Sequence, residues 1–168
     1  MATDPRGELK KAAYETWYDT YFGELLSDAM RTRWSALDGI TKILVAATSS
    51  SSAIAGLALW KIGAFAWMWP TLTGISALLA ILAERVGVAS KLRDHGDSLN
   101  TYSALRIDLD TFRYRMKINR DFDVFSFEKE LVTFRSRYGK AYLLQRSDLL
   151  LSDRLRRNVQ EALNKKLT

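Results

Sequence analysis

Two sets of side chains in this sequence carry recognisable chemistry: a run of hydroxyls and a scattered population of arginines. Thr48, Ser49, Ser50, Ser51 and Ser52 are consecutive, and Gly56 lies one helical turn beyond Ser52. They fall in a stretch, Ile43 to Ala83, whose only charged residue is Lys61. A helical serine donates to the carbonyl one turn back, so it tolerates apolar surroundings better than a charge does. Thr48, Ser52 and Gly56 recur every fourth residue, and small residues at that spacing let helix backbones approach closely. One reading of the run is therefore tight helix packing. The other is a hydroxyl-lined polar path in an assembly of several chains, to which Thr71, Thr73 and Ser76 add. Successive residues turn by about 100°, so the serines cannot all face one neighbour. No Asp, Glu or Arg lies deep in the stretch to mark a proton relay or coupled transport.

The basic residues point to anions. Arg106, Arg113 and Arg120 are spaced by seven, Arg115, Lys117, Arg135 and Arg137 follow nearby, and Arg154, Arg156 and Arg157 cluster near the end. Residues 84–168 carry eighteen Lys/Arg against twelve Asp/Glu. That surface suits anionic lipid headgroups, or a specific anionic ligand such as a nucleotide or an acidic partner. Direct nucleic-acid binding is not expected, because no dense basic face or set of exposed aromatics can be assigned.

Other chemistries lack their residues. The chain has no cysteine, which excludes disulfides, thiolate metal sites and a cysteine nucleophile. The lone histidine, His95 in "KLRDHGDS", reads as a solvated residue on a helix surface. Asp121 and Asp123 lack the glycine and further oxygen ligands of a calcium loop. There is no phosphate loop, dinucleotide fingerprint or Ser/His/Asp setting. No enzymatic activity, cofactor or metal is expected.

The elements that position these residues are all helical. Lys61 divides the uncharged stretch into two runs, each close to the ~20 residues that a bilayer core requires. Trp60, Lys61, Trp67 and Trp69 cluster at the break as interfacial anchors, and Gly63 and Pro70 suit a turn and a helix start. The expected fold is an all-α membrane protein with a two-transmembrane helical hairpin, its spans at about 40–60 and 68–88. An amphipathic N-terminal helix (1–39) precedes the hairpin (40–88), and a helical cytoplasmic region (89–168) follows. Residues 1–42 hold six Lys/Arg and seven Asp/Glu, so the basic excess after the hairpin places both termini in the cytoplasm. No secretory signal, myristoylation site or prenylation box is expected.

Tyr14, Trp17, Tyr18, Tyr21, Phe22, Leu25, Leu26, Ala29 and Met30 recur at helical spacing, a face expected to pack on the C-terminal helices. Gly23 is expected to bend that helix. Leu99, Tyr102, Leu105, Leu109, Phe112 and Met116 mark one long helix from the membrane to about Ile118. Asp121, Asp123 and Ser126 supply turn and capping chemistry. Phe127, Leu131, Phe134, Tyr138 and Tyr142 mark the next helix, and Leu155, Val159 and Leu163 share a face of the last.

This layout resembles the SLATT family, two-transmembrane domains associated with nucleotide-linked bacterial conflict systems. The resemblance covers most of the chain. It rests on "LLSDAMRTRW" before the first span, "LNTYSALRIDLDTFRYRMKI" after the second and the tail "LLLSDRLRRNVQEALNKK". It implies a homo-oligomeric effector of the bacterial inner membrane that forms a pore or disrupts the bilayer in antiphage defence. The trigger would come from a separate partner: a nucleotide synthase, a nucleotide sensor or a reverse transcriptase. The competing expectation is a membrane-anchored binding module or scaffold that uses the basic helical domain to recruit lipid or an acidic partner.

Overall fold

The computed structural model describes residues 4–51, 68–145 and 148–168. These form five helices and no strand: α1 (Pro5–Ser51), α2 (Met68–Val86), α3 (Val88–Ile118), α4 (Val124–Gln145) and α5 (Asp153–Leu167). Two compact units are present, one made of residues 1–31 and 94–168 and the other of residues 32–93.

The helix ends follow from local chemistry. Gly87 has φ +67 and separates α2 from α3, a left-handed conformation that a residue without Cβ adopts at little cost. The long helix expected after the second span, to about Ile118, is α3, and the break before it falls on the one residue type suited to it. After α3, the Asn119 side chain accepts from the Asp121 N–H at 3.2 Å. Asp123 accepts from the Ser126 N–H at 3.1 Å and caps α4. Hydrogen bonds from Ser126 hold the Asp123 carboxyl below its usual pKa. Ser152 caps α5 through the Leu155 N–H at 3.3 Å.

In the first unit, α1 runs antiparallel to α3, as the contacts of Glu24 with Arg106 and of Trp17 with Arg113 require. α4 returns along α3, and α5 along α1. The main core joins Leu9, Ala13 and Trp17 to Leu105, Leu109, Phe112 and Met116, with Phe122, Leu131 and Phe134 closing it. Leu155 and Val159 meet Leu26 and Met30 in a second cluster, and Leu163 is also buried. The expected packing of the N-terminal helix on the later helices thus holds, and Trp17, Leu26 and Met30 of the expected face are buried, but small residues share that burial. The buried row in α1 runs through Ala13, Thr16, Thr20, Gly23, Ser27 and Met30. Tyr18, Tyr21 and Phe22 are only half-buried beside it, and Tyr14 is exposed. Close helix approach selects small side chains on the line of contact and sends aromatic rings to its shoulders.

Gly23 shows the constraint most sharply. α1 continues through it, so the expected bend is absent. A Cβ on Gly23 would lie 2.7 Å from the ring of Tyr102, which is itself fully buried. Alanine there gains about 1 kcal/mol of helix propensity but must displace a ring that has no room to move, at a cost of about 1–3 kcal/mol. Gly23→Ala should therefore lower stability in chemical unfolding. Gly139→Ala in α4, where a Cβ meets nothing within 4 Å, should raise it by about 0.5–1 kcal/mol.

Candidate functional site

The second unit carries an apolar surface. Leu37, Ile40 and Ile43 recur every third residue along α1, and Ile75, Leu78 and Ile81 do so along α2; all six are exposed, Ile43 at 70% and Leu78 at 62%. Among the described residues of this unit, Trp34, Ser76 and Val88 are buried. Lys42 pairs with Asp38 at 2.6 Å, and α1 has no charge from Ile43 to Ser51. Among the described residues no helix is long and apolar enough to cross a membrane. α2 coincides with the second expected span, 68–88; Pro70, Thr71, Thr73, Gly74 and Ser76 dilute its first half and Glu84 and Arg85 interrupt its end. The first span, 40–60, runs past Ser51 beyond the described residues.

The expected hydroxyl and anchor residues divide in the same way. Ser52, Gly56, Trp60, Lys61 and Trp67 lie outside the described residues. Thr48, Ser49, Ser50 and Ser51 belong to α1, and Trp69 and Thr73 to α2. Thr71 is exposed on α2, while Ser76 is buried.

The arginines separate into structural and unengaged groups. Arg106 donates to Glu24 at 2.5 Å in a half-buried pair, and this hydrogen bond raises its pKa above the usual guanidinium value. Arg115 pairs with Glu130, and Arg137 with Asp108 at 2.6 Å. Arg135 donates to the Thr16 hydroxyl at 3.2 Å. These four tie helices together. Arg113 lies 4.4 Å from the Trp17 ring centre and 5.1 Å from that of Tyr14, with Asp110 at 3.6 Å. Lys117, Arg120, Arg154, Arg156 and Arg157 have no ion pair among the described residues.

Three of the expected anion-binding residues converge. Arg113, Lys117 and Arg120 line a cleft of about 640 Å³ together with Lys10, Tyr14, Asp110, Tyr114 and Met116. Its α3 wall follows from spacing, since Asp110, Arg113, Tyr114 and Lys117 share a helix face. Its α1 wall, Lys10 and Tyr14, one turn apart, comes from the opposite end of the sequence and was not anticipated. Arg154 and Arg157 are exposed on α5, away from this cleft. Arg156 instead lines a smaller cavity of about 350 Å³ with Tyr18, Asp19, Phe22, Tyr138 and Tyr142. Burial, with Glu15 beside it, raises the Asp19 carboxyl, and burial pushes the Tyr138 phenol up to about 12.

His95 is not a solvated surface residue. It is 3% exposed, and its Nε2 lies 2.9 Å from the Asp148 carboxylate, which is also buried. Asp148 accepts from the Leu150 N–H at 2.8 Å as well, so the pair fastens the α4–α5 connection to α3. A sequence signal for this existed. His95, Ser98, Tyr102, Leu105, Leu109, Phe112 and Met116 alternate in steps of three and four, which places His95 on the buried row.

Asp148→Ala should strand a buried imidazole and cost about 1–3 kcal/mol in urea unfolding. Arg106→Gln should cost a similar amount, about 1–3 kcal/mol, because Glu24 loses a charge-assisted partner. Arg120→Gln should stay within about 0.5 kcal/mol of the parent, as exposed unpaired residues do. The chain matches no protein-family model, no curated protein and no solved structure.

Proposed function

We propose that the protein is a membrane effector. In this reading it oligomerises at the bacterial inner membrane, with both termini cytoplasmic, and opens a pore or disrupts the bilayer in antiphage defence. A separate nucleotide-linked or reverse-transcriptase partner supplies the trigger. The observation that carries the reading is the row of exposed aliphatic side chains on both helices of the second unit, Ile40 and Ile43 on α1 and Leu78 and Ile81 on α2. Burying such a side chain gains about 1.5–3 kcal/mol, so several left in water together cost many times the thermal energy. Lipid, or a second copy of the chain within lipid, removes that cost. The uncharged stretch Ile43–Ala83, broken only by Lys61, supplies the sequence for two arms. The helical layout that resembles the SLATT family supports the same conclusion. Two arms alone cannot enclose water, so a pore requires a closed ring of chains. Exposed Ile107, Ile118, Phe125 and Val132 on α3 and α4 favour such assembly.

The second reading is an anchored binding module. It is favoured by the separately packed helical unit, whose cleft gathers Lys10, Arg113, Lys117 and Arg120. Replacing residues 40–88 by an unrelated apolar hairpin separates the two. An anchor keeps its partner recruitment, whereas an effector loses its toxicity.

Dye release from vesicles tests the effector directly. An aspartate at the centre of a membrane segment costs about 2.5–3.5 kcal/mol. Leu78→Asp and Ile81→Asp should therefore cut release by about tenfold or more, while Ile118→Asp, equally exposed but in the first unit, should not. Reconstituted protein that releases no dye, or release that Leu78→Asp leaves untouched, counts against the effector.

A further inference from the structure

We propose that the cleft between α1 and α3 binds a soluble ligand in which two or more adjacent phosphates are joined to a flat aromatic ring, such as a nucleoside di- or triphosphate. This stands independently of the membrane reading, since every lining residue belongs to the first unit.

Charge is the first argument. Three of the four arginines that hold this unit together are matched by acids: Arg106 by Glu24, Arg115 by Glu130 and Arg137 by Asp108. The cleft breaks the pattern. Lys10, Arg113, Lys117 and Arg120 line it against a single carboxylate, Asp110. Asp110 stands 3.6 Å from Arg113 and 3.6 Å from Arg106, so it is shared. The excess is three positive charges in one concavity. A phosphate monoester carries about −1.5 to −2 near neutral pH, so one phosphate undershoots the excess and two or more match it. Like charges gathered without a counterion repel, and a polyphosphate turns that repulsion into affinity.

Preorganisation is the second. The Arg113 guanidinium lies against the faces of Trp17 and Tyr14, with Asp110 beside it. Its planar fork is held ready for phosphate oxygens, so less rotamer entropy is lost on binding. The third argument is the rings. Tyr14 on one wall and Tyr114 on the other are both exposed; with Arg113 over the Tyr14 ring, Tyr114 is the ring placed to stack on a ligand. A base stacked on an aromatic side chain contributes about 1–3 kcal/mol. A lipid headgroup shares the phosphate chemistry but has no ring to place there. The volume of about 640 Å³ suits such a ligand.

The test uses the full chain in detergent, titrated calorimetrically with ATP and with inorganic tripolyphosphate, and mixed with phosphatidylglycerol vesicles. Both soluble probes should bind saturably. Lys117→Glu combined with Arg120→Glu should weaken both by about tenfold or more, since each removes and reverses a phosphate contact. Tyr114→Ala should weaken ATP by about fivefold or more and leave tripolyphosphate unchanged. These positions are exposed, so helical signal and melting should not change; should the double variant unfold, Lys10→Glu on the opposite wall makes the same charge test. Three results would overturn the proposal: no saturable binding of either soluble probe, binding indifferent to the charge reversals, or capture only by the vesicles with no competition from ATP. The last would identify a lipid headgroup as the source of phosphate. None of these outcomes touches the dye-release experiment, which turns on Leu78 and Ile81.

Discussion

The close approach of α1 to α3 is the constraint on which the first unit depends. Small residues recur on the buried face of α1, Ala13, Thr16, Thr20, Gly23 and Ser27, beside the larger Leu9 and Trp17. Large ones line α3: Tyr102, Leu105, Leu109, Phe112 and Met116. Small against large lets the ridges of one helix fill the space left by the other. Two of the small residues are polar, but Thr16 and Thr20 donate to the carbonyls of Ala12 and Thr16 at 2.8 and 2.7 Å. Their burial therefore leaves no donor unmade. This contact sets the register for what surrounds it. It brings Arg106 to Glu24, stacks Arg113 on Trp17 and presents the Thr16 hydroxyl to Arg135 of α4. Segments far apart in sequence meet through it, with much of the second unit intervening along the chain.

Periodicity makes much of this legible. Leu155, Val159 and Leu163 share a buried face of α5, and the α3 row from Tyr102 to Met116 is buried throughout, as their spacing requires. Asp123 caps α4 because a short carboxylate before a helix satisfies an orphan N–H, a purely local event. The α1 row is harder to read, because hydrophobicity highlights aromatics while close packing uses glycine, threonine and serine. His95 is hard for the same reason: its row predicts burial, its composition predicts exposure, and only Asp148, distant in sequence, reconciles them. The Gly87 break lies at the end of the second expected span, and its left-handed conformation is one that a residue without Cβ adopts at little cost.

The basic residues show where a sequence stops being informative. Arg106 and Arg113 look equivalent, seven apart on one helix. Both lie over α1 rings and share Asp110, but Arg106 also meets the Glu24 carboxylate of α1 and becomes structural, whereas Arg113 has no carboxylate from α1 and lines a cleft. The difference lies wholly in what the neighbouring helix offers at each level. The cleft likewise requires Lys10 and Tyr14, which belong to no local pattern of basic residues. Charge counts establish that unpaired cations must exist, and tertiary structure decides which they are.

One chain obeys two surface rules, and the mean hydropathy of −0.14 conceals both. In the first unit the exposed face of α1 is ionic, with Lys10, Lys11, Glu15, Asp19 and Asp28. Farther along the same helix, past the Lys42–Asp38 pair, charge ceases as far as Ser51, and Ile43, Val45 and Ala46 are exposed. Nothing in the backbone marks the change, since α1 is continuous through it. A single environment does not favour both surfaces: water solvates the first at little cost and penalises the second, while hydrocarbon does the reverse. A helix that changes surface partway along its length is most stable where its environment also changes.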